Sequence, residues 1–230
     1  MMQYRPSHER GGANFGWLES YHSFSFGSYH DPNHTNHGSL RVINEDYVQP
    51  GQGFGTHPHR NMEILSYVID GAIAHKDSEG NEYQVPAGDF QLMSAGKGIT
   101  HSEFNPSKTQ ALNFLQIWIM PNVTETEPGY QQKAFVQTEK AQLIFSPDGA
   151  DGSLNIKQNA WLHRVRLSEG EDLSYPLVKT PEAYIHMVKG EVSINQSQAL
   201  QAGDGLKISA ETELVARAKT DNVEFLLFEV

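Results

Sequence analysis

Two short stretches of this sequence carry four residues whose types and spacing suit metal chemistry. FGTHPHRNMEI sets His57 and His59 one residue apart, and GITHSEF does the same with His101 and Glu103. In an extended strand, residues i and i+2 face the same way and lie roughly 7 Å apart. Each pair therefore presents two metal-binding groups to one side. Imidazole and carboxylate bind a first-row divalent ion at about 2.0–2.2 Å. Two such strands side by side would offer three nitrogens and one carboxylate, leaving an octahedral metal two open positions for substrate. A lone H-x-H is usually polar surface near a turn; two such pairs, each beside a glycine-rich turn, favour a metal. Pro58 fits between the histidines on an edge strand.

The composition narrows the chemistry further. The 230-residue chain has no cysteine, which excludes disulfides, thiolate nucleophiles and sulfur-ligated clusters and leaves any metal to imidazole and carboxylate. It also suits a reducing cytoplasm, where the protein is expected. The opening MMQYRPSHERGGANFGW has no apolar core or cleavage pattern, and no run is long enough for a membrane span. With 17 basic and 28 acidic residues the net charge is −11. No basic patch is concentrated anywhere, so direct nucleic-acid binding is not expected. No G-x-S-x-G elbow, P-loop or dinucleotide fingerprint occurs.

The elements that must position the four residues read as strands. Turn signals such as QPGQG, PAGD, SAGKG and QAGDG punctuate runs of strand formers, a pattern that predicts an all-β protein of barrels or sandwiches. LNFLQIWIM is nearly continuous in apolar residues and predicts a strand buried on both faces; YQQKAFVQTEKA, around 130–141, allows a short helix. Residues 67–103 also repeat in 186–218. Gly71 matches Gly190, Ala87–Asp89 matches Ala202–Asp204, and Ser94-Ala95 matches Ser209-Ala210. The expected organisation is an N-terminal barrel over 1–120, a connector over 121–150 and a C-terminal barrel over 151–230. In the second copy His101 falls on Ala216, Glu103 on Ala218, His57 on Pro176 and His59 on Val178. The scaffold persists and the ligands vanish, so any metal belongs to the first barrel.

At this level the chain resembles a known family. Gly51 to Glu63 has the form of the first cupin motif, G-x5-H-x-H-x3-E. GDFQLMSAGKGITHSEFN is similar to the second, with Ser94 in place of its proline, two extra residues before His101, and Asn105 at its closing position. The AGKGITHSE variant, GWLESYHSFSFGSYHDP and LRVINED together resemble the pirins, proteins of two cupin (double-stranded β-helix, jelly-roll) barrels, over essentially the whole chain. The nearest branch is the bacterial quercetin 2,3-dioxygenases. The resemblance implies that His57, His59, His101 and Glu103 hold one divalent metal, with Fe(II) expected and Mn, Ni, Co, Cu or Zn as alternatives. It implies a metal-dependent dioxygenase that cleaves a flavonol with O2, releasing CO and a depside, with Glu103 as both ligand and proton acceptor. The alternative is a non-enzymatic pirin, a redox-responsive regulator of a protein partner; another phenolic substrate or an isomerase is a third outcome. A monomer is expected.

Other polar residues attract less interest. Glu63, a ligand in many cupins, lies roughly 13 Å along a straight strand from His59 and aligns with Glu182 in the ligand-free copy, which suggests a structural task. His30, His34 and His37 read as a solvated loop that departs from the family pattern. His22 reads as part of a barrel strand, and His75, His163 and His186 as structural. Phe54, Met62, Met93, Phe104, Phe114 and Trp118 are candidate pocket walls.

Overall fold

The computed structural model describes residues 1–230. It has no α-helix, only two 3-10 turns at Ser7–Glu9 and Ala150–Gly152. Strands β1 (Met2–Arg5), β2 (Gly11–Asn14), β3 (Leu18–His22) and β4 (Leu40–Val48) open the chain. They are followed by β5 (Gly53–His59), β6 (Glu63–Asp70), β7 (Ala72–Asp77) and β8 (Glu82–Pro86). Next come β9 (Asp89–Ser94), β10 (Ile99–Phe104), β11 (Leu112–Ile119) and β12 (Gly129–Ala134). The second half holds β13 (Ala141–Ser146), β14 (Leu154–Asn155), β15 (Trp161–Leu167), β16 (Asp172–Pro176) and β17 (Glu182–Lys189). It ends with β18 (Glu191–Ile194), β19 (Gln198–Gln201), β20 (Gly205–Ser209), β21 (Glu213–Ala218) and β22 (Val223–Glu229).

These strands make two all-β units of cupin, jelly-roll kind. The first has a seven-stranded sheet, β12-β9-β6-β11-β4-β3-β2, and a four-stranded sheet, β5-β10-β7-β8; the second repeats the plan with β1-β20-β17-β22-β15-β13-β14 and β16-β21-β18-β19. The shared central order, β9-β6-β11-β4 against β20-β17-β22-β15, is the internal repeat made visible. Gly71 and Gly190, at φ 83° and 74°, turn β6 into β7 and β17 into β18 in the left-handed region that glycine tolerates.

The boundaries fall differently from the expected 1–120, 121–150 and 151–230. One unit comprises residues 11–135 and 156–158, the other residues 1–10, 136–155 and 159–230. β1 pairs with β20, Met2 opposite Ile208, so the first ten residues complete the second barrel. The expected connector contains working strands: β12 pairs with β9, and β13 with β15. The helix allowed over 130–141 is not formed. Its first half is β12, because an open edge of β9 offers backbone partners that outweigh a weak helical preference. The His30/His34/His37 loop is only partly solvated: His30 is exposed, whereas His34 and His37 are buried.

The two interiors differ in kind. In the second unit Val165, Ile185, Leu206, Phe225 and Leu227 pack with Val192, Ile194 and Leu214 into one apolar cluster that includes Ala216 and Ala218. In the first unit the apolar material is split. Leu18, Val48, Leu112 and Phe114 form one cluster, and Ile64, Met93, Ala95 and Ile99 another. Between them runs a polar file across five strands, His22–Asn44–Gln116–Ser66–Gln91, each residue in register with the next and so on one face. The matching file in the second unit, read through its own registers, is Leu143–His163–Leu227–Ile185–Leu206. Four polar positions have become aliphatic, and only the Asn44 position, His163 in the second file, stays polar.

Candidate metal centre

β5 is the edge of its sheet and pairs only with β10, which tolerates the missing N–H of Pro58. The register sets His101 opposite His57 and Ile99 opposite His59, with a bulge before Glu103 pairs with Phe54. Gly53 makes the close approach possible: a Cβ there would lie 2.3 Å from the Glu103 carbonyl oxygen. Both histidines of β5 thus face His101. The ring centroids are 4.4 Å apart for His57–His101, 4.8 Å for His57–His59 and 4.9 Å for His59–His101. One nitrogen from each ring lies within 4.8 Å of the others.

Local bonds prepare these rings as ligands. His57 Nδ1 donates to the Gly55 carbonyl at 2.8 Å, leaving Nε2 as the free lone pair. Burial, followed by the neighbouring imidazoles, lowers His59 to about 4 and His101 to about 3, so both rings are neutral near pH 7. His101 is buried and neither of its ring nitrogens has a hydrogen-bond partner. Leaving one such group unpaired costs about 1–3 kcal/mol, a cost that a bound cation would remove.

Glu103 is held by the polar file. Its Oε1 accepts from Ser66 Oγ at 3.2 Å and Gln91 Nε2 at 3.3 Å, and its Oε2 accepts from Gln116 Nε2 at 2.9 Å. All three donors are neutral and no cationic side chain bonds it, so the buried carboxylate lacks a counter-charge. An imidazole trio beside such a carboxylate is a donor set that fits a divalent ion of the first transition row.

His75, read from the sequence as structural, belongs to this neighbourhood. It lies opposite Glu103 in the β10–β7 register. Its ligating nitrogen, one of His101 and a carboxylate oxygen of Glu103 lie within 4.8 Å of one another. His75 Nε2 donates to Asp77 Oδ2 at 3.1 Å, and its buried Nδ1 is unpartnered. Glu63 stands apart: its Oε2 accepts from Ser94 Oγ at 2.8 Å and from the Lys157 backbone at 3.2 Å. Ser209 Oγ donates to Glu182 at 2.6 Å in the second unit, so this Glu–Ser pair is a scaffold device present in both copies.

A cavity of about 500 Å³ opens beside the histidines. Phe54 and Trp118 line it as predicted, with Phe15, Trp17 and Phe26 added. Trp118 meets His59 edge-on at 5.1 Å, and Trp17 meets Phe54 at 5.2 Å. The other predicted walls do not face it: Met93 and Phe114 are core, Met62 packs against the Met93 cluster, and Phe104 is on the surface. Sequence inspection missed the polar wall, Ser20, His22, Asn44, Asp46 and Gln116. Its signal was present as single polar residues interrupting apolar strands, such as the glutamine of NFLQIWI.

Comparison with known proteins gives this geometry its context. The pirin profile matches residues 3–119, and a profile described as the quercetinase C-terminal cupin domain matches residues 143–230. The chain belongs to the pirin family. Among related pirins, a quercetin 2,3-dioxygenase of Escherichia coli K12 is 48% identical over 230 residues, all of this chain and 99% of the relative. A putative quercetin 2,3-dioxygenase of Pasteurella multocida is 42% identical over 234 residues, with both chains fully covered. The crystal structure of the bacterial pirin YhhW from Escherichia coli in complex with nickel(II) superposes with a TM-score of 0.96 at 47% identity, covering 100% of this chain and 99% of that one.

Proposed function

We propose that this pirin is a metal-dependent dioxygenase that opens a flavonol of the quercetin type with O2. The observation that carries the proposal is the coincidence of three converging imidazoles and a held carboxylate with an aromatic cavity of about 500 Å³. Relatives named as quercetin 2,3-dioxygenases support it. His57, His59, His101 and Glu103 hold one divalent ion, Fe(II) in our assignment, in a protein we place in the cytoplasm as a monomer.

When bound, the metal supplies Lewis acidity that lowers the pKa of a substrate hydroxyl. The protein does the rest. Glu103 takes the proton of the flavonol 3-hydroxyl at one carboxylate oxygen while Gln116, Ser66 and Gln91 keep the group in place. Phe54 and Trp118, which line the cavity, give the flat aromatic rings an apolar surface that excludes water. Both atoms of O2 enter the products, a depside and CO, so the atoms balance without an external reductant.

The test is incubation of metal-loaded protein with quercetin in the presence and absence of air. The flavonol absorbance should fall only with O2, with CO released, and His101→Ala should abolish the loss. No turnover with any first-row divalent metal would overturn the proposal in favour of a regulatory role.

A further inference from the structure

The polar file does two different jobs along its length. Gln116, Ser66 and Gln91 all bond Glu103, but His22 and Asn44, at the other end, do not. Asn44 is 2% exposed, lines the cavity, and its Oδ1 has no hydrogen-bond partner. Two residues along β4, Asp46 faces the same way and also lines the cavity at 3% exposure. Its Oδ1 accepts from Ser20 Oγ, which in turn accepts from His22 Nε2 at 2.9 Å; no protein group bonds its Oδ2. Acceptors left open on the polar wall of the cavity, opposite no protein donor, mark a place where a ligand brings the donor.

We propose that Asn44 and Asp46, braced by Ser20 and His22, form a second recognition site of the cavity that binds a ring hydroxyl of a polyphenol, away from the hydroxyl held near the histidines. The substrate class is thereby a polyhydroxylated aromatic, not any planar ring system with one chelating group. A phenol hydroxyl donates to Asp46 Oδ2 or Asn44 Oδ1, the two acceptors the protein leaves unused. Burial, offset by the Ser20 bond and reinforced by the charges of Glu103 and Glu45, raises the Asp46 carboxyl to about 7, so it can also donate to a phenol oxygen. The inference rests on the flavonol chemistry proposed above and adds which part of the substrate is read.

Binding without turnover separates the two. Nickel-loaded protein is titrated anaerobically with quercetin and with 3-hydroxyflavone, which keeps only the chelating hydroxyl, and the absorbance shift is followed. Wild type should hold quercetin at least about tenfold tighter. In Asn44→Ala/Asp46→Ala that preference should shrink to within about twofold, and the near-isosteric Asp46→Asn and the small change Ser20→Ala should each reduce it. Nickel content near one equivalent reports an intact fold; if the double variant loses it, the two single variants decide. An unchanged preference overturns this site while leaving the dioxygenase proposal standing, and failure of any flavonol to bind overturns both.

Discussion

His101 has two ring nitrogens that no protein group satisfies, deep inside the first barrel, and this single residue makes the fold's dependence on a ligand measurable. Removing it should abolish metal uptake by elemental analysis without weakening the metal-free protein. In that state the lost packing of His101→Ala is offset by relief of about 1–3 kcal/mol of unpaired polarity. Metal at a thousandfold excess over Kd should add about 4 kcal/mol to wild type and nothing to the variant, read as the shift in melting temperature. A second histidine tests acid sensitivity outside the metal site. His163 is buried beside Tyr175, whose hydroxyl lies 3.2 Å from its Nδ1 and donates to Glu229 at 3.0 Å. Burial and then the Lys179 charge lower it to about 4. A histidine unfolded at about 6.5 takes up its proton before the folded one does, so the unfolded state binds more protons between pH 6.5 and 4. Stability should fall across that window as pH falls, by up to about 3 kcal/mol, and be flat above it. Urea midpoints at pH 7 and 4.5 should converge in His163→Gln relative to wild type.

The element that organises the site is the polar file crossing the large sheet, and it explains what could be read in advance. The H-x-H pair on an edge strand, the H-x-E strand beside it and the repeat that loses both were legible, because a period of two and a glycine turn are local signals. The file was not. His22, Asn44, Gln116, Ser66 and Gln91 come from five segments, and only the register between strands turns five scattered polar residues into one row. His75 was hidden for the same reason: its place opposite Glu103 is a pairing between β7 and β10. β12 eluded prediction because the open edge of β9, not its own sequence, makes it extended. The repeat did hold a clue, since Ser66 aligns with Ile185 when Gly71 is set on Gly190, and Gln91 with Leu206 when Asp89 is set on Asp204. Copying one aliphatic position back should show what the file contributes. Gln116→Leu removes the 2.9 Å donor to Glu103, and metal affinity should drop about 10–100-fold. A competition titration against a coloured chelator reads this directly; an unchanged affinity would mean that Ser66 and Gln91 suffice.

At the scale of the molecule, one barrel template serves two purposes. In the second unit the interior is filled with apolar side chains that form one cluster; in the first, polar residues take most of the matching file positions, and the apolar side chains flanking the file fall into separate clusters. The cost of that division falls on the unit that carries the histidine cluster. The assignment of residues 1–10 to the second unit gives a test at this scale. Deleting Met1–Arg10 should lower the thermal stability of the second unit, by stripping β1 from β20, while metal stoichiometry stays near one. Loss of metal on that deletion would contradict the division. The same strand also sets an order of events at the ribosome. Met2 pairs with Ile208, so β1 waits for its partner strand to emerge, roughly 10–40 s later at about 5–20 residues per second. During translation it is a bare template for illegitimate pairing, and its polar MQYR composition, with an arginine at the end, is the kind of sequence that can wait without sticking.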